Sequence, residues 1–299
     1  MKSFLIKLFV FLLPVSLFIV FVEMQLRSIP NIYSVKKEQL DKLSQGIEIL
    51  CLGSSHTFYG INPVYFSMKG YNAACISQTF DYDKKILEKY IHAMPALRYV
   101  IIPVSYFSFF DKIAENKENW RLAYYSLSMQ LEKPNIFSDY MIFNSVRQDL
   151  VPYWLGHGNP VPVNEAGYGT DYSFDKRNKN LDKTGAVRAK LYTMPNLGLH
   201  QEEMKNHLED MIRLCESRNI TVVLLVPPAH QSYREHLNQQ QLSLMYSLID
   251  SVRQQHKNVI FYDALLDPEY VTDDFCDADH LNEYGAEKLT ERIDQLLQN

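Results

Sequence analysis

The sequence has no excess of positive charge and no closely spaced pair of cysteines. Its 299 residues carry 30 Lys and Arg against 35 Asp and Glu, a formal net charge of −5. Nucleic acids are bound mainly through basic surfaces, so we expect no nucleic-acid partner. There is no CxxC motif, no Cys/His zinc spacing, no internal repeat and no low-complexity tract. These absences argue against a nucleic-acid reader and against a structural metal site.

Cysteine is scarce, with four residues in the chain. Four cysteines allow three disulfide pairings if the domain that contains them lies outside the cytoplasm. Cys51, however, lies within an apolar strand-like run, and Cys215 lies on the apolar face of a predicted helix. Buried free thiols are common at such positions. We therefore expect buried free thiols, also at Cys75 and Cys276.

One long hydrophobic run opens the sequence. Residues 4–22, FLIKLFVFLLPVSLFIVFV, are interrupted only by Lys7, Pro14 and Ser16. At about 1.5 Å per residue, a helix of this length approaches the roughly 30 Å of a bilayer core. Lysine near the start predicts a cytoplasmic amino terminus and an extracytoplasmic remainder. The alternative is a cleaved signal peptide, but the following EMQLRSIP lacks a small-x-small cleavage site. We predict a transmembrane signal anchor over residues 1–25.

The rest of the chain divides into a short polar segment and one large domain. Residues 26–46 are polar and rich in lysine, which is typical of a juxtamembrane stalk. From residue 47 onward, short apolar runs predict buried strands at 49–52, 71–76, 99–104, 222–226 and 259–262. Helical periodicities lie between and after them, starting near residues 86, 204, 242 and 286. This alternation predicts a parallel α/β sheet with helices on both faces over residues 47–299.

A long gap interrupts the alternation at about residues 112–199. Its first half is aromatic and its second half is rich in Gly, Asn and Pro. Stretches of this length without a regular pattern are usually functional insertions or disordered loops. Aromatic residues of the gap can stack on sugar rings, although packing within the insertion explains most of them. The candidates for stacking are Tyr153, Trp154, Tyr168 and Tyr172.

Polar side chains follow each of the five predicted strands. In sequence order they are Gly53-Ser54-Ser55-His56, Ser77-Gln78, Ser105, His230 after Pro227-Pro228, and the loop DDFCDADHLN at residues 273–282. The carboxyl ends of parallel strands meet at one edge of a sheet, and ligands bind there. The sequence therefore predicts a site assembled from these five segments.

The first and last segments together supply a nucleophile and its base. Asp277 and His280 are three residues apart, so the carboxylate can take the Nδ1 proton and leave Nε2 facing outward. A histidine in that state can deprotonate Ser55. Backbone N–H groups at the strand-to-helix corner can stabilise a developing oxyanion. We predict a catalytic Ser55, His280 and Asp277.

Other roles for these residues stay open at this point. Ser54 or Ser55 can be a simple helix cap, which is a common use of serine at such corners. Asp277 or Asp279 can be a turn former, and His56 is expected to orient locally or to face solvent because adjacent side chains rarely meet. His230 is a weaker candidate for the base.

The sequence resembles the SGNH (GDSL-like) hydrolase superfamily over most of residues 47–298. Gly53-Ser54-Ser55 is similar to its first block, with Ser in place of the usual Asp, and Asp277-Ala278-Asp279-His280 to its Asp-x-x-His block. With the membrane anchor, the chain looks particularly like members that modify cell-surface polymers, including the D-alanyl transfer protein DltD and the alginate acetylation proteins. The resemblance implies a flavodoxin-like three-layer α/β/α sandwich and Ser55 as nucleophile. It also implies an extracytoplasmic ester hydrolase or O-acyltransferase that acts on a cell-surface glycan and needs no cofactor or metal.

Two blocks depart from the pattern of the superfamily. The glycine of the second block, whose N–H points into the oxyanion hole, aligns with Ser77. The asparagine of the third block is missing, and Ser105 is the nearest polar residue. The resemblance therefore implies an oxyanion hole of Ser55, Ser77 and Ser105 that can lack one donor. The alternative is a catalytically impaired glycan-binding or assembly subunit. The expected partners are a carbohydrate polymer or acyl-ester substrate and, for a transferase, a membrane acyl-donor protein.

Overall fold

A computed structural model of the protein describes residues 2–135, 138–143, 150–158, 160–178 and 180–298. The chain forms two compact units. The smaller unit contains Met1–Lys37 and Trp120–Val161. The larger unit contains Glu38–Asn119 and Pro162–Asn299, and every described strand lies in it.

The larger unit is built on a parallel sheet of five strands. The strands are β1 (Ile49–Cys51), β2 (Gly70–Asn72), β3 (Tyr99–Pro103), β4 (Thr221–Val226) and β5 (Val259–Asp263). They lie in the order β2-β1-β3-β4-β5, and every neighbouring pair is parallel. This is the flavodoxin-like strand order. The predicted α/β class and parallel sheet are confirmed, with β2 shorter than the predicted run at 71–76. A separate antiparallel pair, β6 (Phe275–Asp277) and β7 (His280–Leu281), follows.

Helices precede, separate and follow the strands along the chain. In sequence order they are α1 (Lys2–Ser28), α2 (Ile32–Leu43), α3 (Ser55–Phe58), α4 (Phe80–Tyr90), α5 (Leu122–Leu127), α6 (Leu150–Trp154), α7 (Leu181–Leu191), α8 (Gln201–Glu216), α9 (Gln231–Arg234), α10 (Gln239–Gln255) and α11 (Glu283–Gln298). The predicted periodicities starting near residues 86, 204, 242 and 286 correspond to α4, α8, α10 and α11.

Helices cover both faces of the sheet. On one face, alternate strand residues pack against the apolar stripe of α11; this cluster includes Ile49, Cys51, Ile101, Val223, Leu225, Leu289, Ile293 and Leu297. The intervening strand residues are also buried and point to the opposite face. Right-handed crossovers place α4, α8 and α10 there, since each connects successive strands in the same direction along the sheet. Burial on both faces explains why the strands read as continuous apolar runs.

Residues 26–46 and 112–199 are more regular than their composition suggests. Residues 26–46, expected as a stalk, contain the end of α1, all of α2 and a 3-10 turn at Ser44–Gly46. The predicted insertion contains α5, α6 and α7. Its residues 120–161 fall in the smaller unit, and residues 112–119 and 162–199 fall in the larger one.

Two further features of the sequence are also visible in the structure. Helix α1 has an 18-residue window of mean hydropathy 2.8, none of it buried, and is long and apolar enough to cross a membrane. The side on which the larger unit lies stays a prediction. All four cysteines are buried and free, as predicted.

Candidate active site

The corner after β1 depends on a glycine. Gly53 has φ +113°, a left-handed conformation, and a Cβ built on it would lie 2.1 Å from Cγ of Pro103. The tight corner brings Ser55 to the first position of α3. Ser54 is the N-cap residue, but its hydroxyl makes no capping hydrogen bond; it is buried and has no partner. A capping role for the Ser54 side chain is therefore wrong.

Ser55, His280 and Asp277 form a continuous chain of hydrogen-bonding contacts. The Oγ atom of Ser55 lies 2.8 Å from Nε2 of His280, although 225 residues separate them. On the other side of the ring, Nδ1 lies 2.9 and 3.0 Å from the two carboxylate oxygens of Asp277. A carboxylate accepts only, so the Nδ1 proton faces Asp277 and Nε2 is free to accept the Ser55 proton.

The turn between β6 and β7 explains why the Asp-x-x-His spacing works. Oδ1 of Asp277 accepts the backbone N–H groups of Asp279 and His280, at 3.1 and 2.9 Å. Such a side-chain turn does not need a helix, and the same carboxylate then meets the ring of His280. Asp277 therefore shapes the turn and orients the imidazole, so turn formation and orientation are not alternatives.

A second group of polar residues lies directly behind the first. The Asp279 side chain is fully buried, and both of its oxygens accept hydrogen bonds from Arg188, at 2.6 and 2.8 Å. Nε2 of His56 lies 3.3 Å from the same carboxylate, and Nδ1 of His56 lies 2.7 Å from Oγ of Ser105. His56 is buried, so the expectation that it faces solvent is wrong, and its ring contacts residues distant in sequence. The arrangement connects α3, the loop after β3, α7 and the turn after β6.

Charges in this group act on the two histidines in opposite directions. Burial lowers the pKa of His56 and outweighs the nearby Asp279, which favours the neutral ring. Burial also opposes protonation of His280, but the carboxylates of Asp279 and Asp277 outweigh it and raise the pKa of His280. The burial of Asp279 is offset by His280, His56 and Arg188, which hold the pKa of its carboxyl well below the usual range. Relative to a free imidazole, the site thus makes His280 easier to protonate and His56 harder to protonate.

The side chains of His56, Asp279 and His280 are of the types that bind metal ions, and they lie close together. Their ligand atoms lie within 4.8 Å of one another, which is close enough to hold an ion. The guanidinium of Arg188 already occupies both oxygens of Asp279, and Asp277 faces Nδ1 of His280. A metal ion there would meet an adjacent fixed cation and would compete for both oxygens. We therefore assign this group an electrostatic role and not a metal-binding one.

Aromatic rings line the space around the two histidines. Tyr59 and Tyr172 stack on each other with ring centroids 3.9 Å apart, and both meet the His280 ring edge-on. Phe107 packs against His56 and stacks on Tyr192. Tyr172 comes from the predicted insertion. Of the four aromatic residues singled out in that segment, it alone has a described ring contact with His280.

The residues expected in the oxyanion hole follow strands β1, β2 and β3. They differ in backbone conformation and in the partners of their side chains. Ser77 has φ +58°, the left-handed conformation that favours glycine. This agrees with its alignment to a glycine. Ser105 faces His56, and because Nε2 of His56 donates to Asp279, the Ser105 hydroxyl donates to Nδ1. In that state the Ser105 hydroxyl is not available to an oxyanion.

The side chain of Asp83 connects the loops that follow β1 and β2 by hydrogen bonds. Its Oδ1 accepts the backbone N–H of Gly53 and the side-chain N–H of Gln78, each at 2.6 Å. Complete burial raises the pKa of Asp83 to about 7, although both hydrogen bonds favour the carboxylate. The carboxyl group therefore fixes the corner before Ser55 relative to the loop that contains Ser77.

We expect Asp83→Asn to flatten the pH dependence of stability. The pKa of Asp83 is raised on folding, so its contribution is fully present below pH 3.8 and is lost as the pH rises through about 7. One such group changes the free energy of unfolding by at most about 1.4 kcal/mol per pH unit. Urea unfolding is expected to show that the free energy of unfolding falls more between pH 5 and pH 8 in the wild type than in Asp83→Asn. Equal losses in both proteins would contradict the assignment.

His230, the weaker candidate for the base, makes its described side-chain hydrogen bonds to residues other than Ser55. Nδ1 of His230 contacts Oγ of Ser232 at 2.8 Å, and Nε2 contacts Oγ1 of Thr272 at 3.2 Å. It acts as the N-cap of α9. Both ring nitrogens therefore have local partners, and the geometry favours His280.

Sequence reasoning missed Arg188 and the role of Asp279. Arg188 lies in the irregular insertion, and no short motif links it to a residue 91 positions away. Asp279 stands inside the Asp-x-x-His block, where turn formation was its only expected role. The available signal was a second acidic residue within the predicted site, because a carboxylate that becomes buried there needs a cationic or hydrogen-bonding partner.

The fold and the residue geometry define a parallel α/β domain with a Ser-His-Asp arrangement at the carboxyl edge of its sheet. A family described as proteins of unknown function, DUF1574, matches residues 160–293, less than half of the chain. A search of curated proteins found no match.

Similar solved structures include two bacterial proteins. One, from Desulfitobacterium hafniense, is provisionally described as a lipolytic protein of the G-D-S-L family; it shares 13% identity over 83% of this chain and 98% of its own, with a TM-score of 0.43. The other, a GDSL-like lipase from Bacteroides thetaiotaomicron, shares 13% identity over 89% of this chain and 98% of its own, with a TM-score of 0.42. At these scores, function has to be inferred from the site itself.

Proposed function

We propose that the larger unit is a serine-dependent ester hydrolase or O-acyltransferase that forms an acyl-enzyme on Ser55. The observation that supports this most strongly is the 2.8 Å contact between Oγ of Ser55 and Nε2 of His280, with Nδ1 of the same ring held by Asp277. A nucleophile, a base and an orienting carboxylate within hydrogen-bonding reach are what covalent acyl transfer requires.

The reaction proceeds in two similar halves. Oγ of Ser55 attacks the ester carbonyl while its proton passes to Nε2 of His280. The tetrahedral intermediate collapses, the leaving alcohol takes the proton from His280, and the acyl group stays on Ser55. Water or a second hydroxyl then attacks the acyl-enzyme, and His280 again takes and returns one proton. The outcome is hydrolysis if water attacks and acyl transfer if a sugar hydroxyl attacks.

In this proposal, backbone N–H groups stabilise the developing oxyanion. Ser55 is the first residue of α3, so its N–H has no acceptor within the helix. The left-handed backbone at Ser77 suits a second N–H donor in the place of a glycine. The third block lacks its asparagine, and loss of one such donor costs about 10²- to 10³-fold in rate. We therefore expect a slow enzyme for simple esters.

For the substrate, we propose an acyl ester on a carbohydrate polymer outside the cytoplasm. Helix α1 supports a membrane location, and the half-buried Tyr172 ring beside His280, stacked on the buried Tyr59, offers an apolar face to a sugar. A transferase would in addition receive its acyl group from a membrane donor protein. Acyl transfer to an added oligosaccharide, measured against release of free acid, separates the two outcomes.

One observation favours a second candidate, a glycan-binding or assembly subunit with impaired catalysis. The Ser105 hydroxyl is directed to His56, so the third strand end offers no side-chain donor in place of the missing asparagine. The retained contact between Ser55 and His280 argues for the enzyme, because a binding subunit needs no base in that position.

A fluorophosphonate probe tests the proposal on the full chain. We expect labelling of the wild type and none of Ser55→Ala, since the probe captures only an activated serine. Ser54→Ala is the matched control; it removes a neighbouring buried hydroxyl that has no partner and should leave labelling unchanged. Absence of labelling in folded wild-type protein would favour the binding subunit.

The rate of labelling is expected to depend on pH through His280. The ring must be neutral to accept the Ser55 proton, and its pKa is raised, so the rate falls as the pH drops below that value. Asp279→Asn removes one carboxylate beside the ring and should move this acidic limb to lower pH. Labelling rates between pH 5 and pH 9 measure the shift, with circular dichroism as the control for folding. An unmoved limb would show that Asp279 does not act on His280.

A further inference from the structure

In the smaller unit, the end of the apolar part of α1 is held by a buried charge. Glu23 directly follows the apolar run and is 7% exposed. Its carboxylate accepts a hydrogen bond from Nε of Arg27 at 2.7 Å and from the backbone N–H groups of Met141 and Ile142 at 3.0 Å each. Because a buried carboxylate is costly without such partners, these contacts fix residues 138–142 at one level of α1.

Helix α6 meets α1 at the same level. Nε1 of Trp154 donates to Oε1 of Gln25 at 2.9 Å, and its ring lies 6.2 Å from that of Phe21. Phe21 and Gln25 are one turn apart, so the indole spans the change from the apolar to the polar part of α1. Apolar side chains on and just after α6 face outward: Val151 is 59% and Leu155 is 65% exposed.

We propose that residues 138–142 and 150–155 form an interfacial collar that lies in the headgroup region of a phospholipid bilayer. Tryptophan and tyrosine favour this region because their rings are apolar and their N–H or O–H groups remain hydrated or bonded. The collar contains both Trp154 and Tyr140. Exposed Val151 and Leu155 extend the unburied apolar surface of α1, which is why the occupant is a bilayer and not a second protein. The polar bonds to Glu23 and Gln25 set the depth of α1.

The chain contains two tryptophans, which makes the depth measurable. The full chain with Trp120→Phe, which keeps Trp154, is placed in phosphatidylcholine vesicles brominated at acyl positions 6 and 7 or 11 and 12. We expect the shallow bromines to quench Trp154 emission about twofold and the deep bromines to quench it less.

Trp154→Phe is the matched control because it keeps Trp120. That ring packs on Tyr124, which stacks on Tyr33 of α2, beyond the end of α1. Neither lipid should quench it appreciably. Equal Trp154 emission in brominated and ordinary vesicles that retain the protein on flotation would overturn the proposal, and so would stronger quenching by the deep bromines. Failure of the chain to float with vesicles would overturn it too. None of these results depends on whether Ser55 is catalytic.

Discussion

Replacement of His280 by alanine is expected to slow acylation of Ser55 by about 10²- to 10⁴-fold. The ring is the group placed to accept the serine proton, at 2.8 Å from Oγ. Without it the hydroxyl must lose its proton to water, and at neutral pH an unassisted serine is a weak nucleophile. Acylation rates with an activated ester measure the effect.

The matched control for this prediction is His230→Ala. His230 also follows a strand end, is also buried and also contacts a serine, but that serine is Ser232 and not Ser55. We expect this variant to keep acylation within about threefold of the wild type, because its ring takes no part in the proton transfer. If the acylation rate fell strongly in His230→Ala and little in His280→Ala, His230 and not His280 would be the base.

Replacement of Arg188 by methionine is expected to destabilise the larger unit by about 3 kcal/mol. The change keeps most of the side-chain volume but removes both hydrogen bonds to Asp279, whose side chain is completely buried. Among the described residues, the ionisable groups left beside the carboxylate would be His56 and His280. Removing one partner of a buried pair costs far more than the pair itself contributes, because the other charge stays desolvated.

The partner substitution and a surface arginine make this prediction specific. Asp279→Asn should cost less than Arg188→Met, because the Arg188 side chain is 27% exposed and can reach water. The double variant should recover part of the loss. Arg213 is 52% exposed, and its partner Glu209 keeps a second cation in Lys205, so Arg213→Met should change stability by less than about 1 kcal/mol. Urea unfolding followed by circular dichroism measures all four; equal costs for Arg188→Met and Arg213→Met would contradict a buried pair.

The sheet and the outline of the site were predictable because local patterns determine them. Strands buried on both faces read as continuous apolar runs, and helices with one buried face read as periodic ones. Once the strands are parallel, their ends share an edge, so Ser55 and the Asp277–His280 turn had to lie near one another. The distance between the side chains of Ser55 and His280 was not predictable, because spacing along the chain does not determine distances between side chains.

The second polar group was not predictable for the same reason. Arg188 reaches Asp279 through the packing of α7, a helix within a segment without clear periodicity. His56 is adjacent to Ser55 in sequence, and its orientation toward Ser105 depends on how β1 and β3 pair. The division of residues 112–199 between two units likewise depends on tertiary packing, which composition does not encode.

Capture of the acyl-enzyme tests the central claim most directly. The full chain is mixed with an activated ester, quenched in acid within one turnover and digested, and the acyl group is located by tandem mass spectrometry. We predict one acyl group, on Ser55, in the wild type and none at that position in His280→Ala at the same time. Turnover of the ester with Ser55 unmodified throughout, or an acyl group on Ser54 or Ser105 in its place, would contradict the proposal.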